Sequence, residues 1–203
     1  MQRRDADVQV VDREVSVAKF NREVERFREL ARDYARQGVL LLNAEFPRTE
    51  FLFVAPHLTP IPVLFAARLD FTNYDVWPPS VRLIHPITRD MLSAKEVTHP
   101  FLRRLPPPAN FPRDLPPIQP ASPFQWESPE SLPYLCMPGV REYHDHSAHT
   151  NDPWLLHRKL GEGTLAFIVD KLLSYGVVGI AAYRADLQIR ISGFQLDPNR
   201  IPE

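Results

Sequence analysis

The chain has 203 residues, 44 % apolar and 24 % charged, with 24 basic against 25 acidic side chains for a formal net charge of −1. That length and composition suit a soluble globular domain with a sizeable core, and the balanced charge excludes a bulk field for nucleic acid or anionic membrane. One cysteine excludes an intrachain disulfide, and no run approaches the roughly 18–20 apolar residues that a spanning helix requires. The opening MQRRDADVQVVDREVS lacks the apolar stretch of a secretory signal, so a reducing cytoplasm is the expected compartment.

The first predicted element is an amphipathic helix from Ser16, SVAKFNREVERFRELARDYARQG, with Phe20, Val24, Phe27, Leu30, Ala31 and Tyr34 at helical spacing and Gly38 as its C-terminal cap. VLLLNAEF, EFLFVAP and PVLFAARLDF follow as short β-compatible runs broken at Pro47 and around PHLTPIP, and SVRLIHP reads as a fourth strand ending at a proline. Together they predict an antiparallel meander. TLAFIVDKLLSYG then predicts a helix with Leu165, Ile168, Val169, Leu172 and Leu173 on one face and Gly176 as cap, and GIAAYRADLQIR is read as a last helix. Asp152-Pro153 reads as a helix start, with the aspartate capping and Trp154 anchoring the core.

Between the strands and these helices lies the most unusual composition. Eleven of the 22 prolines fall between Pro106 and Pro138, where missing amide donors and fixed φ angles exclude a regular helix or a central strand. Phe111, Ile118, Phe124, Trp126 and Leu132 are interspersed among them, which is more apolar surface than a free linker carries. The expectation is a loop packed on one domain spanning 1–203, with Phe124 and Trp126 buried. Strands and helices are segregated along the chain, so the fold class is α+β.

The loop leads into LCMPGVREYHDHSAHTNDPW, which concentrates the lone cysteine and three of the seven histidines. Cys136, Glu142, His144, His146 and His149 are all competent metal ligands, and thiolate with imidazole suits zinc. If the segment is extended, Glu142, His144 and His146 share a face; if it is helical, His146 and His149 are neighbours. Without a metal, Cys136 is a candidate nucleophile, its pKa lowered by Arg141 and the histidines, with Asp145 or Asp152 to deprotonate an incoming amine. A polar histidine loop and a buried, inert cysteine are the plain alternatives. His157 is a further candidate ligand or a ring packed on Trp154.

The order of elements resembles the ubiquitin-conjugating (UBC) fold: an N-terminal helix, a four-stranded meander, and a cysteine on an irregular stretch before later helices. In PVLFAARLDFTNYDVWPPSVRLIHP, Tyr74, Pro78, Pro79 and Val81 match that family's Tyr-Pro-x-x-Pro-Pro turn, with Asp75 in place of the first proline. YLCMPG, then Trp154, then LAFIVDKLL place Cys136 where the resemblance implies the transferring cysteine. The family's His-Pro-Asn signature has only fragments here, at His85-Pro86 and His99-Pro100, with Asn110 the nearest substitute for its asparagine. The resemblance also implies partner contacts on the basic face of the first helix, at Arg22, Arg26 and Arg28.

The segment CMPGVREYHDHSAHTNDPW is similar to a small family of predicted metal-binding proteins named for a Cys-Glu-His-His pattern and encoded beside ubiquitin-like proteins, activating enzymes and JAB-type peptidases in bacterial conjugation systems. That resemblance implies a bacterial setting linked to antiviral defence, an adenylating activating enzyme and a ubiquitin-like modifier as partners, and no nucleic acid or membrane. Three functions follow as expectations: a UBC-like component with a Cys136/Glu142/His144/His149 zinc site in which His146 can replace any ligand; an active conjugating enzyme carrying the modifier as a thioester on Cys136; and a metal-dependent hydrolase with Glu142 as base. A thiolate filled by zinc is a poor nucleophile, so the first two exclude each other in one state.

Overall fold

The computed structural model describes residues 8–104 and 119–184. The predicted first helix is two: α1, Arg13–Glu29, and α2, Ala31–Arg36. Asp12 begins α1 by accepting hydrogen bonds from the amides of Glu14 and Val15, satisfying donors that have no partner inside the helix. The break falls at Leu30, which is 49 % exposed rather than part of the apolar face. Phe20, Val24 and Phe27 on α1 and Tyr34 on α2 are buried as their spacing predicts.

Four strands follow: β1 Val39–Glu45, β2 Arg48–Val54, β3 Val63–Asp70 and β4 Ser80–Ile84. They form one antiparallel sheet in the order β1-β2-β3-β4, with Phe51 opposite Leu41 on one side and Ala67 on the other. Period-two alternation is clearest on β2, where Thr49, Phe51 and Phe53 are buried and their neighbours are not. α1 lies on that face. Phe27 meets Phe51 edge-on at 5.1 Å, and Phe20 meets Phe46 at 5.6 Å and Phe71 at 5.5 Å, geometries that aromatic pairs favour over face-to-face sandwiches.

After the sheet the chain turns irregular. Two-residue strands β5, Phe124–Gln125, and β6, Tyr134–Leu135, pair antiparallel; then come α3, Arg141–Asp145, a 3-10 turn at Ser147–His149, α4, Trp154–His157, and α5, Leu165–Gly176. Phe111, Ile118 and Asn110 lie outside the described residues. Phe124 is buried at 4 %, but Trp126 is 52 % exposed; it lines a cleft of about 270 Å³ together with His99, Phe101 and Phe124. β5 ends at Gln125, so Trp126 lies beyond the pairing with β6 and is not held to the face that Phe124 turns to the core, as the period of two would otherwise require.

α5 buries Leu165, Ile168, Val169, Leu172 and Leu173, the predicted face. Glu23 on α1 accepts from the Leu165 amide at 3.0 Å, so a buried carboxylate closes the N-terminus of α5. Gly176 is the last helical residue rather than the cap: a Cβ there would sit 2.4 Å from the Phe65 ring, so glycine is required by close packing. The expected last helix is not seen over Ile180–Arg184, and the rest of it lies outside the described residues. No helix among the described residues is long and apolar enough to cross a membrane.

Candidate functional site

Cys136 follows β6 directly, and its backbone is held on both sides. Its amide donates to the Pro123 carbonyl at 2.8 Å, and its carbonyl accepts from Arg103 Nη1 at 3.2 Å. The residue is 5 % exposed, and its Sγ lies 3.5 Å from His149 Nε2, which the 3-10 turn presents to it. Burial pushes the thiol pKa up, with Arg103 pulling the other way. Burial, and then the neighbouring His146, holds His149 below the usual imidazole value. Both shifts favour neutral forms, so a protonated thiol faces an imidazole free to accept its proton.

Behind His149 stands Tyr143, its ring stacked on the imidazole at 3.9 Å between centroids and 20° between planes. Tyr143 Oη donates to Asp152 Oδ2 at 2.7 Å, and burial together with that bond pushes its pKa up to about 12. Asp152 Oδ1 accepts from His157 Nε2 at 2.6 Å, and His157 Nδ1 donates to Glu162 Oε2. Burial works against charge on His157, yet the two carboxylates outweigh it and raise its pKa. Asp152 is correspondingly lowered by its bonds from His157 and Tyr143. It does not cap α4, which has Pro153 at its N-cap and no side-chain cap bond, because its carboxylate is committed to this chain of contacts.

The other expected ligands point elsewhere. The α3 helix sends Glu142 and His144 to different neighbours, so the extended alternative does not hold. Glu142 Oε1 accepts from Ser80 Oγ and from Arg82 Nη2, the latter at 2.8 Å, and its buried Oε2 has no partner among the described residues. His144 uses both nitrogens: Nδ1 donates to the Asp152 carbonyl at 2.8 Å, and Nε2 accepts from the Gly139 amide at 3.0 Å. His146 Nδ1 accepts from the Ala148 amide at 3.2 Å, and its ring lies over Tyr134.

Zinc needs several donors about 2.0–2.3 Å from one point, and among the described residues no group of three or more His, Cys, Asp or Glu is so disposed. Cys136 and His149 are brought together; a four-ligand set does not fit this arrangement, because Glu142 and His144 are engaged by other groups.

Arg141, expected to activate the thiol, is a buried clamp instead. At 5 % exposure it donates to the carbonyls of Pro78 at 3.1 Å and Thr72 at 2.7 Å, tying α3 to the β3–β4 connection. Trp154 is a buried anchor as expected, donating from Nε1 to the Asp75 carbonyl at 2.9 Å, but the ring against it is His144 rather than His157. Arg22, Arg26 and Arg28 on α1 are exposed. Residue-type reading missed Arg103 and Tyr143. Arg103 is 33 positions from Cys136 in sequence, and nothing local marks a tyrosine as the platform for an imidazole six residues on.

The fold and site define a mixed α/β protein: a helix-backed four-stranded antiparallel sheet carrying a thiol–imidazole pair on an irregular segment after its last strand. Residues 11–180 match the Y4jH-like (Y4jH family) profile, so the chain belongs to the Y4jH family. It is 43 % identical over 205 residues to a protein of Sinorhizobium fredii (strain NBRC 101917 / NGR234) described as "Uncharacterized protein y4jH", a match covering 97 % of this chain and 99 % of that one. The matched stretch spans α1 through α5 and the whole site.

Proposed function

We propose that this Y4jH-family protein is a UBC-like component of a bacterial ubiquitin-like conjugation pathway, in which Cys136 accepts the modifier's C-terminal acyl group from the activating enzyme. The observation that carries the reading is the 3.5 Å approach of Cys136 Sγ to His149 Nε2 on a segment that follows a helix and a four-strand meander. In the step, Sγ attacks the carbonyl carbon of the donor thioester and a new S–C bond forms while the donor's C–S bond breaks. The thiol proton passes to His149 Nε2 and then to the departing thiolate. Arg103, positive and close to the thiol, favours the anionic character that develops there. Such a pathway works in a reducing cytoplasm, where a lone thiol stays reduced.

The 5 % exposure of Cys136 favours a second reading: a binding component of the same pathway, with the cysteine packed as a small hydrophobe and the fold recognising the activating enzyme or the modifier. A zinc clip within it would have to draw Glu142 from Arg82 and His144 from Asp152. The same commitment of Glu142 to Arg82 and Ser80 leaves it ill-disposed as the base of a metal-dependent hydrolase.

The deciding experiment incubates the purified protein with an adenylating activating enzyme and a ubiquitin-like protein of a bacterial conjugation system and ATP, with elemental analysis in parallel. A reductant-labile adduct, lost in Cys136→Ser and slowed in His149→Ala, supports transfer. Stable association without an adduct supports the binding component, and stoichiometric zinc would give that component its clip. Neither adduct nor association overturns both readings.

A further inference from the structure

We infer that Tyr143 is a positioning residue for the thiol–imidazole pair, turning His149 so that Nε2 faces Cys136, and that Asp152, steadied by His157 and Glu162, is what fixes Tyr143. The inference rests on the reading of Cys136 as a nucleophile with His149 as its proton acceptor, and it names the groups that make that pair work.

Three observations converge on it. His149 ends a three-residue 3-10 turn, and no described contact binds its Nδ1 to a backbone carbonyl or a carboxylate, the device that usually fixes a catalytic imidazole. Ring stacking takes that place: the Tyr143 and His149 ring centroids lie 3.9 Å apart with 20° between their planes, which sets the plane in which Nε2 points. The tyrosine is itself pinned, since Oη donates to Asp152 Oδ2 at 2.7 Å.

The third observation is that Asp152 cannot swing away. Its second oxygen accepts from His157 at 2.6 Å, and the far side of that imidazole donates to Glu162. Its backbone carbonyl also accepts from His144 Nδ1. A line of contacts therefore runs from Glu162 through His157, Asp152 and Tyr143 to His149 and the thiol. Tyr143 and Asp152 make no hydrogen bond to Cys136 Sγ among those described; Tyr143 is near enough to feel the thiolate's charge, and the double variant below separates that direct effect from one passed through His149.

The geometry separates two things Tyr143 supplies. The ring supplies the stack, and the hydroxyl supplies the anchor. Tyr143→Phe keeps the first and loses the second; Tyr143→Leu keeps bulk and loses both. A merely structural tyrosine would make no such distinction in the chemistry of a thiol to which it makes no hydrogen bond.

The test measures alkylation of Cys136 by iodoacetamide in the full-length protein, followed by mass spectrometry, with thermal melting to confirm that each variant is folded. In alkylation a C–S bond forms, iodide leaves and the thiol proton goes to His149, so the probe needs no conjugation partner. His149→Ala should slow labelling about a hundredfold, the low end of what a positioned proton acceptor contributes. Tyr143→Leu should approach that loss and Tyr143→Phe should retain most of the rate. The double variant Tyr143→Leu/His149→Ala should be no slower than His149→Ala alone, because residues acting through one another are not additive.

If His149→Ala labels as fast as the native protein, or the native thiol does not react, the nucleophile reading fails and the inference goes with it. If His149→Ala is slow while Tyr143→Leu is normal, or the two losses multiply in the double variant, the positioning role fails and the nucleophile reading stands. Should Tyr143→Leu fail to fold, Asp152→Asn carries the same comparison: a smaller loss that also disappears in the His149→Ala background supports the chain of contacts, and an unchanged rate breaks it.

Discussion

The helix-backed sheet and the segment from Gln119 to Gly163 are held together by different means. In the sheet, backbone groups pair with backbone groups along three ladders, and side chains are left to fill a core of Phe20, Phe27, Phe51, Phe53, Phe71 and Leu69. The site segment has two-residue strands and helices of five and four residues, too short to satisfy their own backbones. It borrows instead. Arg141 reaches back to Pro78 and Thr72, Trp154 to Asp75, the Arg141 amide to Pro79, and Arg103 and Ala121 exchange both amide bonds. A regular element spreads its stability over many equivalent contacts, whereas an irregular one concentrates it in a few long-range polar bonds whose loss is local.

That contrast can be broken most severely from the core. Phe51 is fully buried against Phe27, so Phe51→Ala should cost about 3–5 kcal/mol of global stability in urea denaturation. A loss below about 1 kcal/mol would show that the sheet–α1 core is not the main support. Arg141→Met should act more locally, costing about 1–3 kcal/mol for carbonyls left without donors. Hydrogen exchange should then speed up around residues 70–79 and 134–146 while β1–β2 stays protected. Equal acceleration everywhere would erase the distinction between the regions. Arg141→Lys should not restore protection, because an ammonium lacks the planar fork that reaches two carbonyls.

A smaller effect sharpens the comparison where the regions meet. Gly139 has φ +87°, and a Cβ there would lie 2.4 Å from the Gly163 amide nitrogen, so the Cys136 segment and the approach to α5 touch through bare backbone. Gly139→Ala should lower the melting temperature by the equivalent of at least about 1–2 kcal/mol, the left-handed penalty alone. It should also loosen His144, whose Nε2 accepts from that residue's amide. An unchanged melting temperature would mean that the contact is not needed.

The smallest effect is in pH dependence. His99 sits between the Phe65 and Phe101 rings and donates to the Gly176 carbonyl, and burial holds its pKa below the usual value. The unfolded chain therefore binds the proton first, so stability is full above about pH 6.5 and falls as pH drops toward the folded-state pKa. His157, raised by its two carboxylates, has the opposite sign, contributing stability at low pH that is lost as pH rises through its folded-state pKa. Comparing His99→Gln with the native protein isolates the first term: the variant should show a shallower acid-side decline in chemical denaturation, and identical slopes would remove His99 as its source.

The sequence by itself determined the body. The short β-compatible apolar runs EFLFVAP and PVLFAARLDF, bounded by prolines, the helical spacing of Phe20, Val24 and Phe27, and the apolar face of α5 are local signals, and each element appears where its residues place it. Tertiary structure alone decided the site. Glu142 belongs to Arg82 rather than to Cys136 because α3 turns it toward β4, and Trp126 is exposed because the pairing of β5 stops one residue before it. Arg103 and Tyr143 enter because distant or aperiodic positions meet only after the irregular segment has been pinned to the sheet. Ligand-competent residues can be counted in a string of letters, but which of them face one another depends on backbone hydrogen bonds the segment cannot make for itself, and those are supplied by the fold around it.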